Sequence, residues 1–285
     1  MPVLPLHSKE LTTPDGLKVF AEAAGDPNKH AILFIHGFAG NGTVYDRQFN
    51  DPQLTANFFL VRYDMRGHGR TAHPTEAKDY ESLRYAEECK TVCDGFGLVK
   101  PSVFAWSLGG CIVVDIIEAY GADYWSSIIY CGGALLTRTL HKDYIHPNLL
   151  SSMGDLVSLD ASVITAAGIQ LIRSIFLNVD ETLTYPEYLA FLGSFLLQTP
   201  TVRQLTLGRT QESARWEREI GGKKVLVIQG ELDMHAWAEK YVEAARKSVG
   251  EFELRLLKGV GHTPHLERTE EVNGYILDFV QRTAV

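Results

Sequence analysis

Cysteine is scarce in this chain of 285 residues, with four in all, and their spacing gives no disulfide framework. Cys89 and Cys93 share one face of an expected helix, Cys111 falls at the start of another, and Cys131 ends an expected strand. All four read as small buried hydrophobes. No apolar run is long enough to span a bilayer. Met1 to Thr13 carries prolines and charges where a secretory signal would need an apolar stretch. A soluble, cytoplasmic protein is the expectation. Basic residues are also short, with 27 Lys and Arg against 35 Asp and Glu, a formal net charge of −8. That argues against nucleic acid as a partner, since no basic cluster is available to neutralise phosphates. It weighs against strongly anionic substrates too, unless the pocket holds its own Arg or Lys. The largest basic group, Arg203, Arg209, Arg215 and Arg218, is interrupted by acids and reads as a solvated helical face. Linkers rich in Pro, Gly or Ser are missing, as are internal repeats, which argues against a second independent domain.

What the chain does have is apolar content, 45% of its residues, enough for one large core or a core with a small insert. Lys9 to Glu22 reads as a hairpin around Pro14-Asp15-Gly16. Strands near Ile32, Phe59, Val103 and Ile128 then alternate with helices at Ser82–Phe96 and Leu108–Tyr120. That rhythm predicts an α/β fold, a mainly parallel sheet with helices on both faces. It breaks from Ala134 to about Gly221, where only helices are expected, among them Ser162 to Leu177 and Pro186 to Leu197. It resumes at Lys224. The break predicts a helical cap, residues 134–221, inserted after the sixth strand into a core of residues 1–133 and 222–285.

Ala105-Trp106-Ser107-Leu108-Gly109-Gly110 carries the strongest chemical signal. A serine between small residues at a strand-to-helix junction has the form of a nucleophile elbow. The turn is tight enough that a Cβ two positions away would strike neighbouring backbone. It lifts the hydroxyl clear of the sheet and points the following N–H groups beside it. The competing reading is a helix N-cap, and the rest of the chain decides against it by supplying partners.

Asp233 follows the buried strand Val225–Ile228 in the loop Gln229-Gly230-Glu231-Leu232-Asp233, where open α/β sheets place functional residues. Glu231 is its rival, and capping of a helix starting near His235 is its structural alternative. The base candidate is His262, in a Gly-rich loop before an amphipathic helix expected from about Glu267 to Arg282. Nearby His265 reads as structural or as a rim residue. The strand Ala31–Ile35 ends in His36-Gly37, and the backbone N–H of Phe38 can join that of Leu108 in an oxyanion hole. His36 reads as structural. Asp64 to Gly69 reads as a charged turn that locks loops together, with no catalytic part for His68.

Five motifs in this order resemble the α/β-hydrolase superfamily over most of the chain: His36-Gly37, Asp64 to Gly69, the Ser107 elbow, the Asp233 loop, and Gly261-His262-x-Pro264 with Glu267 behind. The family form has Gly more often than Ala105 at the first elbow position. The resemblance implies a triad in which His262 takes the Ser107 proton during attack on an acyl carbon and Asp233 fixes the His262 tautomer. It calls for no metal or organic cofactor. A serine at the elbow argues against the epoxide hydrolases and haloalkane dehalogenases of this fold, which use Asp there. The expected substrate is a small or medium, mostly apolar ester or lactone. Hydrolysis of a carbon–carbon bond beside a ketone and opening of an enol-lactone stay open as alternatives. So does, from another class, a ligand receptor with vestigial turnover. Ile175, Phe176, Phe191, Phe195 and Leu196 are candidate walls of the pocket, and Trp106 and His235 candidate substrate contacts.

Overall fold

A computed structural model describes residues 6–284; residues 1–5 and 285, the outer ends of the two expected core segments, lie outside them. The hairpin forms as expected from β1, His7–Thr12, and β2, Lys18–Ala24. The remaining strands are β3 (Ala31–Ile35), β4 (Phe59–Tyr63), β5 (Ser102–Trp106), β6 (Ser127–Cys131), β7 (Lys224–Gly230) and β8 (Glu253–Leu257). Together they make one eight-stranded sheet in the order β1-β2-β4-β3-β5-β6-β7-β8. The β1–β2 and β2–β4 pairings are antiparallel, and all others are parallel.

The inner strands read as unbroken apolar runs because both of their faces are buried. Alternate residues still go to opposite sides. Leu33, Val61, Val103, Ala105, Ile128 and Val227 join one core, with the helices Ser82–Phe96 and Gly110–Tyr120. Ile32, Phe34, Leu60, Phe104, Ile129 and Ile228 join the other, with the helix Thr269–Thr283. The connection from β3 leads to β4 on one side of it, while β5 pairs on its other side. That reversal of strand order opens a crevice outside the carboxyl ends of β3 and β5.

Between β6 and β7 there is no strand; the chain runs through helices that include Arg138–Tyr144, Ala161–Ser174, Tyr185–Leu197 and Pro200–Gly208. Their starts are locally encoded. Asp160 caps one by accepting from Ser162 N and Val163 N. Thr184 and Glu187 close a capping box on another, with Pro186 in its first turn.

Two expectations need correction, and one helix boundary shifts slightly. The helix expected to reach Leu177 stops at Ser174, because Ile175 O accepts from His262 N at 3.0 Å and Leu177 N donates to Glu267 at 3.1 Å. The C-terminal helix is split at Arg268 into Pro264–Glu267 and Thr269–Thr283. The basic group is only half a solvated face. Arg215 and Arg218 pair with Glu219 near the surface, but Arg203 and Arg209 are buried. Arg203 donates to the carbonyls of Leu156, Phe195 and Gln198, and Arg209 pairs with buried Asp115 at 2.6 Å. Arg209 thereby ties the inserted helices to the helix that follows Ser107. By contrast, the Asp64–Gly69 turn locks loops as expected: Asp64 accepts from Gly42 N and Arg70 N, and Arg66 pairs with Glu88 and Asp15.

Candidate active site

Ser107 sits directly after β5 with φ of 51°. A non-glycine residue in this region costs about 1–3 kcal/mol and persists only where the surroundings hold it. Gly109 and Gly110 are what hold it. A Cβ on Gly109 would come within 2.5 Å of Ile35 O, and one on Gly110 would strike Leu135 O. The close approach at the elbow is therefore to the chain leaving β3 and to the chain leaving β6.

Ser107 Oγ lies 2.9 Å from His262 Nε2, and His262 Nδ1 lies 2.9 and 3.0 Å from the two Asp233 oxygens. The three side chains expected to act together are thus within hydrogen-bond reach in the expected order. Asp233 is buried and accepts three further bonds, from His235 N at 2.7 Å, Ala236 N at 2.9 Å and Gln229 Nε2 at 2.9 Å. Burial alone would push its carboxyl up; the facing His262 and the loop donors outweigh burial and hold it down at about 2. The capping alternative is partly realised, since Asp233 does cap its own loop, but the helix beyond starts later, at Ala238. Glu231 is exposed.

The His262 loop is gripped from three sides. Its backbone N–H donates to Ile175 O, its carbonyl accepts from Trp106 Nε1 at 2.8 Å, and the neighbouring Gly261 and Thr263 N–H groups donate to Glu267. His265 is not a rim residue. It is fully buried among Trp106, Tyr45 and Phe104, and burial pushes its imidazole down to about 3. His36 is structural as expected: Nδ1 faces Gly37 O at 2.7 Å and Nε2 accepts from Met65 N at 3.0 Å.

The oxyanion candidates are placed by packing. A Cβ on Gly37 would meet Ser107 Cβ at 3.0 Å, so the backbone entering Phe38 runs against the elbow. The Phe38 N–H has no acceptor among the described residues. Leu108 N is the second N–H of the 3-10 turn Ser107–Gly109, in the first turn, where N–H groups lack partners within the helix. His235 stacks on His262 with ring centres 4.5 Å apart, and its Nε2 meets Ser174 Oγ at 2.8 Å. Burial and the neighbouring His262 hold His235 well below the usual histidine range.

These groups open on a cavity of about 840 Å³, mouth included. Trp106, Ile175, Phe191 and His235 line it, together with Phe38 and Leu108. Phe176 and Phe195 do not. Phe176 packs edge-on behind Phe191 at 5.5 Å, and Phe195 is fully buried beneath Ala39, Leu156 and Leu171. Leu196 faces solvent at 63% exposure. The walls include residues that sequence reasoning passed over: Leu135, Met153, Leu171, Ile172, and the polar pair Arg138 and His141. The spacing of that pair, i and i+3 just beyond β6, was the available signal. Gln229 was also missed; it donates to Asp233 and accepts from Gly133 N at 2.7 Å, tying the acid to the chain after β6.

Residues 32–274 match the model of the Alpha/beta hydrolase family. An AB hydrolase superfamily protein of Bacillus subtilis is 22% identical over 272 residues, 94% of this chain and 97% of that one. A crystal structure of an aryl esterase, provisionally so named, from Burkholderia cenocepacia superposes with a TM-score of 0.88 at 26% identity, covering 97% of this chain and 99% of that one. An esterase from a Rhodococcus species superposes at 0.86 with 20% identity, covering 97% and 99% respectively. Among the described residues no helix is long and apolar enough to cross a membrane.

Proposed function

The chain belongs to the alpha/beta hydrolase family, and from that premise we propose that it is a serine hydrolase cleaving a carboxylic ester or lactone through an acyl-enzyme. The observation that carries this reading is the unbroken path Ser107 Oγ to His262 Nε2 and His262 Nδ1 to Asp233, each step 2.9 Å, at the floor of the cavity. Ser107 attacks the acyl carbon while His262 accepts its proton. Asp233, ionised and fixed by its loop, keeps the His262 proton on Nδ1 so that Nε2 faces the serine. The N–H groups of Phe38 and Leu108 receive the developing negative charge; one such donor is worth about 2.7–4 kcal/mol in comparable sites. His262 then protonates the leaving group, and water releases the acid by the reverse sequence.

The helices of residues 134–221 act as a cap that covers the substrate, inserted into the core of residues 1–133 and 222–285. The similarity at 26% identity to an aryl esterase supports ester substrates. Carbon–carbon bond cleavage beside a ketone and enol-lactone opening draw on the same three side chains. A receptor with vestigial turnover would not need the serine held in hydrogen-bond reach of an oriented histidine. The cytoplasm suits the four buried, unpaired thiols.

Turnover of a panel of short esters, lactones and vinylogous diketones tests the reading. Ester or lactone turnover is the expected result. Selective turnover of the diketones would move the assignment to carbon–carbon cleavage, and binding without turnover would favour the receptor.

A further inference from the structure

One side chain of the cavity is unaccounted for by apolar ester binding. Arg138 lines the wall, and it is half-buried. The other buried or half-buried arginines, Arg203 apart, have a carboxylate partner among the described residues, as with Arg209 and Asp115. Arg203 has three carbonyls instead. Among the described residues the Arg138 guanidinium has only the carbonyl of Leu207 as a partner, in the last turn of the helix Pro200–Gly208. That bond occupies one of its five N–H donors. Among the described residues no Asp or Glu lines the cavity, so Arg138 brings the only carboxylate-matching full charge in that lining. His141, one turn along the same helix, adds a polar group; burial, Arg138 and His262 hold it down at about 4, so it is neutral near pH 7.

The placement is fixed rather than incidental. Leu135 N donates to Ser107 O at 2.8 Å, which fastens the chain leading to Arg138 onto the elbow itself. Arg138 N donates to Gln211 Oε1 at 3.0 Å, and Gln211 Nε2 donates in turn to Cys111 O and Asp115, both at 2.9 Å on the helix after Ser107. Most of the other walls are apolar, among them Leu149, Met153, Leu156, Leu171, Ile172 and Phe191. Leaving a guanidinium half-buried without a counter-charge is costly. A planar carboxylate would match its remaining fork of donors. The chain's overall charge of −8 opposes such a ligand, and a pocket arginine is what would overcome that.

We propose that Arg138, seconded by His141, forms a carboxylate subsite, and that the substrate is a monoanionic ester or lactone whose acid group sits a few bonds from the scissile carbonyl. The inference rests on the serine-hydrolase reading for the reaction and on Arg138 alone for the substrate class. The test compares phenyl hydrogen glutarate, with the anion on the acyl side, and 4-(pentanoyloxy)benzoate, with it on the leaving group, against neutral phenyl pentanoate. At least one anionic ester should exceed the neutral one in kcat/KM by about tenfold or more, the worth of a charge-assisted hydrogen bond. Arg138→Gln, which removes the charge and keeps a polar side chain, should cost that ester about tenfold more than the neutral one, mostly in KM. Arg138→Lys should recover part of the preference. A second measurement does not depend on turnover: calorimetry of the same three esters with Ser107→Ala, where the anionic ligand should bind more tightly and lose that advantage on adding Arg138→Gln. Wild-type preference for the neutral ester over both anionic ones, or a preference indifferent to Arg138→Gln, would overturn the subsite. No ester turned over at all, with the calorimetric preference intact, would overturn the hydrolase reading and leave the subsite standing.

Discussion

His262 and His265 stand three positions apart and have opposite surroundings. One faces a serine hydroxyl and a carboxylate; the other is walled in by Trp106, Tyr45 and Phe104 with its Nε2 unpartnered. His262→Ala is therefore expected to abolish turnover, while His265→Phe keeps most of kcat, as steady-state kinetics would show. Gln229 has a subtler part. It holds one of the two Asp233 oxygens that face His262 Nδ1, so it positions the acid without touching substrate. Gln229→Met should lower kcat by about tenfold with KM nearly unchanged, because the loss falls on the transition state. A matching rise in KM would assign it to packing instead. Asp233 could be chosen over Glu231 from loop position alone. Gln229 could not, because its role depends on Gly133 N, 96 positions away.

Strands and the starts of the two long inserted helices were legible because they are written locally: apolar runs for strands buried on both faces, Asp160 or Thr184 with Glu187 for caps. Helix ends were not, where distant groups decide them. Ile175 and Leu177 leave the helix because their backbone groups serve the His262 loop. Buried and solvated arginines also look alike in sequence until a partner such as Asp115 is seen. The same limit applied to the aromatic stripe of the Tyr185–Leu197 helix, where Phe191 reaches the cavity and Phe195 packs beneath it. The two should separate on mutation. Phe191→Ala is expected to move the preferred ester toward bulkier groups. Phe195→Ala should lower stability by about 3–5 kcal/mol and leave the order of preference among substrates intact. Denaturant unfolding and a chain-length series of esters measure both. Equal effects of the two substitutions on specificity would contradict the assigned wall.

For the molecule as a whole, the sheet order places the site. The loops after β3 and β5 flank the reversal in strand order, so Phe38 and Ser107 converge from adjacent strands. Burying several imidazoles there has a cost that depends on pH. His36 and His265 are pushed down by burial to about 4 and 3, below the unfolded histidine value near 6.5. Below about pH 6.5 the unfolded chain binds protons that these rings refuse, so stability falls as pH drops toward 4 and then 3. Asp233 adds to the loss only lower down, from about 3.8 toward 2. Glu88, pushed up to about 7 by burial despite Arg66, works in the opposite sense at higher pH. The difference between a variant and wild type is accordingly the cleaner readout. His265→Phe should remove up to about 1.4 kcal/mol per pH unit of acid sensitivity between pH 6.5 and 3. Parallel unfolding curves for the two proteins across that range would show that His265 does not titrate on unfolding.

The central claim is that Ser107 is the nucleophile of an acyl-enzyme mechanism. The most direct measurement is mass spectrometry of the protein after treatment with a serine-directed phosphonate, read beside ester turnover for wild type and Ser107→Ala. One adduct, on the peptide carrying Ser107, with turnover lost in step with labelling, is the expected result. In Ser107→Ala both label and turnover should vanish while the fold survives, because triad members act as a unit and the smaller side chain adds no bulk. A label on another serine, or a Ser107→Ala protein keeping more than about a tenth of wild-type turnover, would contradict the mechanism.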